Sequence, residues 1–590
     1  MKIYAAALTF LFLISSTAIA DDKVFNAAGP FGGIVTSVIE DADGAIFIGT
    51  EGGGIYKTTD NGNTWLPASS GLANPFVYSL AKTPDGSMFA GTKAGIFKST
   101  NQGMNWILET GASKGHLVPF VSSNKEGKVY ASIWGSGVCK KIDNDWKLYS
   151  INDELHNTFV NGITFTKDGA ALAATEGGVY GLGKGENKWR FVGLLEYLVQ
   201  SIVIDNSGHI YASVWGSGIQ RSKDNGKEWE SFGKGAHSYV RHLSINQNNE
   251  IFAGTEDGVF KFSPDVKEWK SIGLKGVFIR NIAPIGNDRL FAGSYGKGIY
   301  ISNDKGKTWQ QKNNGIANTQ IISAFADENT IYAGTSWGLF IKQKDKVWEE
   351  AVLFSGKRVQ AIAKDSKGNI YAGTTSGVFK YNASDKKWER VKGHPAAYSN
   401  TSVVAIDKND SVFAGIEGDG FFRSDDIGGA WKALENGLTN KRILAVAFDS
   451  KDRIYIGTAN GIFRNAKEDR DRFEDMTGNL KNTIIQSIAI DKDGNIYAGT
   501  DGGGVFVKSG DKAWEEKNNG LKNKRVLSLK ADNKGNVYAG THDGLFLLEK
   551  DASEWKDASG DMVNRIVQTI NMDSAGRLLI GTWGGGILTK

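Results

Sequence analysis

One short pattern recurs along almost the whole chain and sets what it can fold into. Ile46-Phe47-Ile48-Gly49-Thr50, followed by Glu51-Gly52-Gly53-Gly54 and Ile55-Tyr56-Lys57, returns as Met88–Thr92, Ile251–Thr255, Ile496–Thr500 and Leu578–Thr582. Fourteen copies run from Gly49 to Gly581 at a period of roughly 41 residues, the spacing of propeller blades. Repeats of this kind make nearest-neighbour folds, so the length of 590 residues counts blades rather than independent domains.

Each copy reads as four short strands. In the first, Val35–Glu40 is strand A, Ile46–Thr50 strand B, Ile55–Thr59 strand C and Thr64–Pro67 strand D. The A–B turn carries Asp-x-x-Gly, as in Asp41–Gly44, Asp365–Gly368 and Asp491–Gly494. Asp bonds the turn backbone there and Gly takes the positive φ. A calcium loop would need Asp-x-Asp-x-Asp-Gly and a distant Glu, which these turns lack.

The composition follows from the repeat. Glycine is 75 of 590 residues and tryptophan 16. Twelve of the tryptophans occupy one place at the start of strand D, and Phe473 takes it in repeat 11. The C–D turn before that place reads Ser/Thr-x-Asp-x-Gly-x-x-Trp, with Asp60, Asp224, Asp304 and Asp426 as its acids. Their expected role is structural, with the carboxylate accepting backbone N–H bonds across the hairpin while Trp packs between blades. The spacing resembles the Asp-box of sialidase-like and sortilin-like propellers, where it implies a position on the face away from the ligand.

The expected fold is all-β: two tandem seven-bladed propellers, residues 21–304 and 305–590. The chain begins with a D-like segment, Val24–Gly29, and ends after strand C of repeat 14. The simplest arrangement gives each ring a leading D strand, with the crossover near Asp304 and ring two starting at Thr308-Trp309. The alternative sends the N-terminal strand across to close ring two.

Met1–Ala20 has a short positive start, an apolar run from Ile3 to Ile14 and the small-x-small end Ala18-Ile19-Ala20. This is the pattern of a secretory signal peptide, predicting export to the periplasm or outside the cell and no membrane insertion of the mature chain. Cys139 has no partner for a disulfide and reads as a buried apolar side chain. The net charge of +4 is spread without a basic stripe, which argues against nucleic acid. The seven histidines, His116, His156, His209, His237, His242, His394 and His542, lack zinc spacing, and no triad or P-loop context appears. No cofactor or metal is expected.

Ligand chemistry is expected on the face shared by the B–C turns and D–A loops. Four tryptophans are left over from the anchor place, and all lie in B–C turns: Trp134, Trp215, Trp337 and Trp583, with Tyr295 in the same setting. An aromatic beside glycine in a turn suits stacking on a sugar or peptide, or packing on a neighbouring blade. Glu51, Glu417 and Asp501 occupy equivalent turn positions and are the candidates for a general acid/base pair, against the plainer role of solvated turn acids. Arg358, Arg442, Arg525 and Arg565 begin strand A in ring two. They would favour an anionic or polar ligand unless neighbouring acids neutralise them.

The repeat Asp-x-x-Gly-x-Ile-Tyr-Ala-Gly-Thr, with Asn-Gly-Leu between blades at 436–438 and 519–521, resembles two-component regulator propeller repeats. That resemblance implies paired seven-bladed periplasmic sensors of polysaccharide fragments. Gly32–Ile39 and Gly49–Tyr56 also resemble xyloglucan-degrading glycoside hydrolases. Those imply a double propeller with one catalytic Asp per ring facing a cleft; Glu51 stands at the first-ring place. The leading expectation is an exported, non-enzymatic propeller that binds a glycan or a partner protein. The alternatives are a glycoside hydrolase using Glu51 with Glu417 or Asp501, and an envelope assembly or stability factor.

Overall fold

A computed structural model describes residues 25–590, apart from 144, 149–157, 318, 328, 392, 394–398, 427–429, 563 and 574. The signal-peptide segment 1–20, His156 and His394 lie outside the described residues. The chain forms fourteen four-stranded antiparallel sheets, arranged as two seven-bladed propellers. Blade 1 comprises Val35–Glu40, Ile46–Thr50, Gly54–Thr58 and Leu66–Pro67, strands A to D from the channel outward.

The Gly-Thr pair of strand B explains the repeat. A Cβ on Gly49 would lie 2.8 Å from a methyl of Val77, the first residue of strand A in blade 2. The same approach recurs at Gly254 on Ile279, Gly457 on Ile485 and Gly540 on Val567. It also closes each ring, with Gly293 of blade 7 on Val35 of blade 1 and Gly581 of blade 14 on Ile321 of blade 8. The threonine turns inward to its own B–C turn, its hydroxyl donating to the Gly54 carbonyl at 2.7 Å in blade 1. Strand B is wholly buried there, so a hydroxyl without that acceptor would cost free energy.

The anchor tryptophans tie neighbours from the outside. In many of them the indole N–H donates to a carbonyl of the preceding blade, as Trp106 to Ala68 at 2.8 Å, Trp269 to Phe232 at 2.9 Å and Trp555 to Lys517 at 2.7 Å, whereas Trp146 donates to the Glu109 carboxylate and Trp229 to Gly226 of its own turn. Before four of the anchor places, the Asp-box acid spans the hairpin. Asp304 accepts from the Ser302 hydroxyl at 2.7 Å and from the Thr308 N–H and hydroxyl at 2.9 and 2.6 Å. Asp60 is bonded in the same way by Thr58 and Thr64, Asp224 by Ser222 and Glu228, and Asp426 by Ser424 and Ala430. These bonds hold Asp60 and Asp304 down at about 2. All four lie on C–D turns, on the opposite side of the blades from the B–C turns.

Ring closure departs from the simplest arrangement drawn from sequence. Gln310–Gln311 pair with Tyr300 and Ile301, so the turn at Asp304 joins strands C and D of blade 7 instead of crossing between rings. The Trp309 indole donates to Ile272 of blade 6, inside ring one. Asn26–Gly29 instead pair with Ile587–Thr589 and supply the D strand of blade 14. The Ala28 carbonyl then accepts the Trp348 indole N–H of blade 8 at 2.5 Å. Ring one is therefore complete from residues 35 to 311, and ring two combines 321–589 with 26–29. The crossing wins because the N-terminal strand gives blade 14 a full sheet and blade 8 its anchor acceptor in one step.

Strand A is the inner edge of each blade, so some of its N–H groups face the channel without a ladder partner. Serines of the preceding blade serve several of them: Ser79 accepts from Val121 at 3.1 Å, Ser201 from Leu243 at 3.0 Å, Ser487 from Leu529 at 2.9 Å. His242 takes this place in blade 6, its Nδ1 accepting from the Ile282 N–H at 3.4 Å. Burial pushes its pKa down to about 4. Cys139 is buried, and its thiol is pushed up to about 12, as for an inert core residue.

Two outcomes follow from this architecture. A chain lacking residues 21–29 loses the D strand of blade 14 and the Trp348 acceptor. Calorimetry should show the ring-two transition falling in temperature while the ring-one transition stays in place; equal shifts in both would contradict the closure. For His242, the unfolded chain takes up a proton near pH 6.5 and the folded chain only near pH 4. Stability should therefore fall as pH drops through that window, by on the order of 3 kcal/mol from this group. His242→Gln should flatten that part of a denaturant-midpoint profile measured against pH.

Candidate functional site

The two rings meet through the same kind of face. The B–C turn of blade 1 packs on that of blade 14, where a Cβ on Gly52 would lie 2.9 Å from the Trp583 carbonyl oxygen. Asn564 donates to the Gly52 carbonyl at 2.8 Å across this contact. The turn of blade 7 meets that of blade 8: the Tyr295 and Trp337 rings lie 5.0 Å apart, edge to face. The Trp337 indole rests where a side chain on Gly296 would be, 2.4 Å from its ideal Cβ. Two connecting segments run beside these contacts. Gly32 donates to Ile316 at 2.8 Å, Gly298 to Gly33 at 2.8 Å and the Thr319 hydroxyl to Pro30 at 2.7 Å. Joined at blades 1, 7, 8 and 14, the rings hold their B–C faces toward one another.

A backbone hydrogen bond sets the rim of each face. The first residue of every B–C turn in ring one donates its N–H to the residue just before strand A: Glu51 to Ile34, Lys93 to Phe76, Trp134 to Leu117, Glu176 to Phe159, Trp215 to Leu198, Glu256 to Tyr239 and Tyr295 to Phe278. That acceptor row is apolar throughout ring one. In ring two the corresponding bonds reach Arg358, Asn400, Arg442, Ile484, Arg525 and Ile566. Ring one presents an aromatic rim and ring two a polar one.

The five turn aromatics divide accordingly. Trp134 is 45% exposed and braced by Phe159 at 4.9 Å. Trp583 is 37% exposed, its backbone fixed in the blade 1–14 contact. Trp215 is half-buried between Tyr239 at 4.7 Å and the Arg241 guanidinium at 3.8 Å. Tyr295 stacks on Phe278 at 5.2 Å, and Trp337 closes the contact between rings. Further exposed side chains extend the rim: Tyr197 and Leu195 in the loop from blade 4 to blade 5, and Tyr239 at blade 6. Sequence reasoning passed over these. The column before strand A had been read only for its arginines, and its apolar run in ring one was the available signal.

The charged candidates are mostly consumed. Arg525 pairs with Asp501 at 2.8 Å, Arg442 with Glu417 at 3.9 Å, and Arg565 with Asp543 and Asp557 at 2.8 and 3.0 Å. Glu417 also accepts from the Asn400 amide. Arg565 lies one residue further from its strand than the other three and packs over the blade 13 turn. Glu51 has no ion pair among the described residues. Its charge helps burial to raise Tyr78 to about 12, with Arg280 opposing. His542 is pushed below its usual value by burial, then by Arg525 and by Lys93 of ring one. No group of three metal-ligating side chains is assembled among the described residues, and no helix there is long and apolar enough to cross a membrane.

Comparison with known proteins bears on the fold. The family described as "Two component regulator propeller" matches residues 479–502, a part of blade 12. A curated relative, the ommochrome-binding protein of Manduca sexta, is 22% identical over 165 residues, which are 28% of this chain and 58% of that protein. The chain thus spans just over half the length of the curated relative it matches. Among solved structures, an ancestral GH74 enzyme superposes with a TM-score of 0.77 at 15% identity, covering 96% of this chain and 98% of that one. The GH74 xyloglucanase from Xanthomonas campestris gives 0.71 at 15% identity, covering 96% and 99%. The Niastella koreensis GH74 enzyme gives 0.66 at 14%, with the same coverage of 96% and 99%. At such identity these matches establish a shared tandem-propeller architecture.

If Trp337 on Gly296 holds the rings together, Gly296→Ala should part them without unfolding either. The radius of gyration from small-angle scattering should rise while both unfolding transitions keep their temperatures; an unchanged radius would count against the contact.

Proposed function

We propose that this is an exported, non-enzymatic binding protein that holds a glycan chain between its two rings, stacked on the aromatic rim of ring one. The observation that carries the reading is the exposed arc of Trp134, Tyr197 and Tyr239 on one face, braced by Phe159, Trp215 and Arg241. Rigid aromatic faces bind the apolar faces of sugar rings at little entropic cost. Ring two faces them with amides and guanidinium groups suited to hydroxyls.

A hydrolase is the competing reading, favoured by the fold match to GH74 enzymes and by Glu51, which has no ion-pair partner. Glycoside hydrolysis needs two carboxyl groups about 5 to 9.5 Å apart, one able to donate a proton. Glu417 and Asp501 are each held in an ion pair by an arginine, at 3.9 and 2.8 Å, and both stand in the ring opposite Glu51. This supports binding over turnover.

The test uses purified protein against a panel of plant and microbial polysaccharides, scored for retention in affinity gels and for reducing-end release. Binding without release is expected. Trp134→Ala with Tyr239→Ala should weaken binding at least tenfold, and Glu51→Gln should leave it unchanged. Reducing-end release that disappears in Glu51→Gln would establish the hydrolase instead.

A further inference from the structure

In ring two the residue before strand A is arginine in blades 9, 11 and 13: Arg358, Arg442 and Arg525. Two of them obey one rule. The B–C turn of the preceding blade offers an acid at its first position, Glu417 for Arg442 and Asp501 for Arg525. Blade 9 breaks the rule. The preceding turn carries Ser336 at that position, and its hydroxyl donates to Gln320 Oε1. Arg358 forms no ion pair among the described residues.

The surroundings hold two unspent groups, an amide donor of Gln320 and the Oε1 of Glu350. Gln320, on the same rim in blade 8, has a buried Nε2 with no hydrogen-bond partner. Lys297 reaches in from ring one, bonding Ser355 Oγ at 3.2 Å and lying 3.8 Å from Glu350, which it neutralises. The Trp337 turn forms the adjoining wall, its carbonyl accepting from Gly356 at 2.9 Å. Arg358 itself is solvent-exposed, yet neighbouring atoms crowd it enough for burial to pull its pKa below the usual value. A guanidinium without an ion pair, one blade on from an unspent amide donor at the same place of the rim, suits planar, charged oxygens, which arginine binds through two parallel N–H bonds. A neutral sugar would leave the charge uncompensated.

We propose that Arg358 binds an acidic group, a carboxylate or a sulfate, carried by the sugar chain held between the rings. The proposal rests on the glycan reading above and narrows its ligand to acidic polysaccharides.

The probes are polygalacturonate, chondroitin sulfate and neutral xyloglucan, titrated calorimetrically against the wild-type protein, Arg358→Gln and Ser336→Asp. The last variant installs the missing internal counter-ion. The wild type should bind one acidic polymer at least tenfold more tightly than the neutral one, and which polymer does so separates carboxylate from sulfate. Both variants should lose that margin with unchanged unfolding temperatures. A margin that is absent in the wild type, or that survives Arg358→Gln, overturns the proposal. Binding of xyloglucan alone overturns it while leaving the glycan reading in place, and binding of none of the three overturns both.

Discussion

The glycine of strand B meeting the first residue of the next blade's strand A is the contact on which the molecule depends. It occurs between sequential blades and again at both closures, Gly293 on Val35 and Gly581 on Ile321. A side chain at Gly49 would reach Val77 at 2.8 Å, so glycine gives the closest approach of consecutive sheets, while blades 3, 4 and 5 keep the contact with the small residues Ser132, Ala174 and Ser213. The following threonine then binds its turn, and the turn's N–H binds the residue before strand A. In most blades one pair of residues thus fixes blade spacing, turn geometry and the position of the rim on the B–C face.

Because the rim is fixed by backbone bonds, its side chains are free to vary, and the rings have used that freedom differently. Ring one fills the row with Phe, Tyr, Leu and Ile. Ring two places Arg and Asn there and neutralises most of the charge with acids from neighbouring turns. Glu417 and Asp501, two of the turn acids weighed as an acid/base pair, stand in ion pairs with Arg442 and Arg525. What distinguishes this cleft is the place where the pairing lapses, at Arg358 and Ser336.

Much of the molecule was legible in one dimension. Blade number, strand boundaries and the Asp-box hairpins follow from local chemistry that each repeat carries alone. Thr64 and Asp60, for example, are four residues apart and bonded directly. The ring in which Asn26–Gly29 pair was not legible, because a D strand makes the same local pattern wherever it lands. Nor were Tyr197 and Tyr239, since an exposed and a packed aromatic read alike. Trp134 and Trp337 both stand in B–C turns, yet one is 45% exposed and the other is pressed on Gly296 of the opposite ring.

The sequence by itself determined the blade: its strands, its glycine contact, its anchor tryptophan and the count of fourteen, all set by interactions within one repeat or with the next. The tertiary structure decided which strand closes which ring, which faces oppose, and which charges are left unpaired. Those are sums over residues hundreds of positions apart, such as Ala28 with Trp348 and Gly52 with Asn564, and a repeating local pattern has no term that distinguishes one such partner from another.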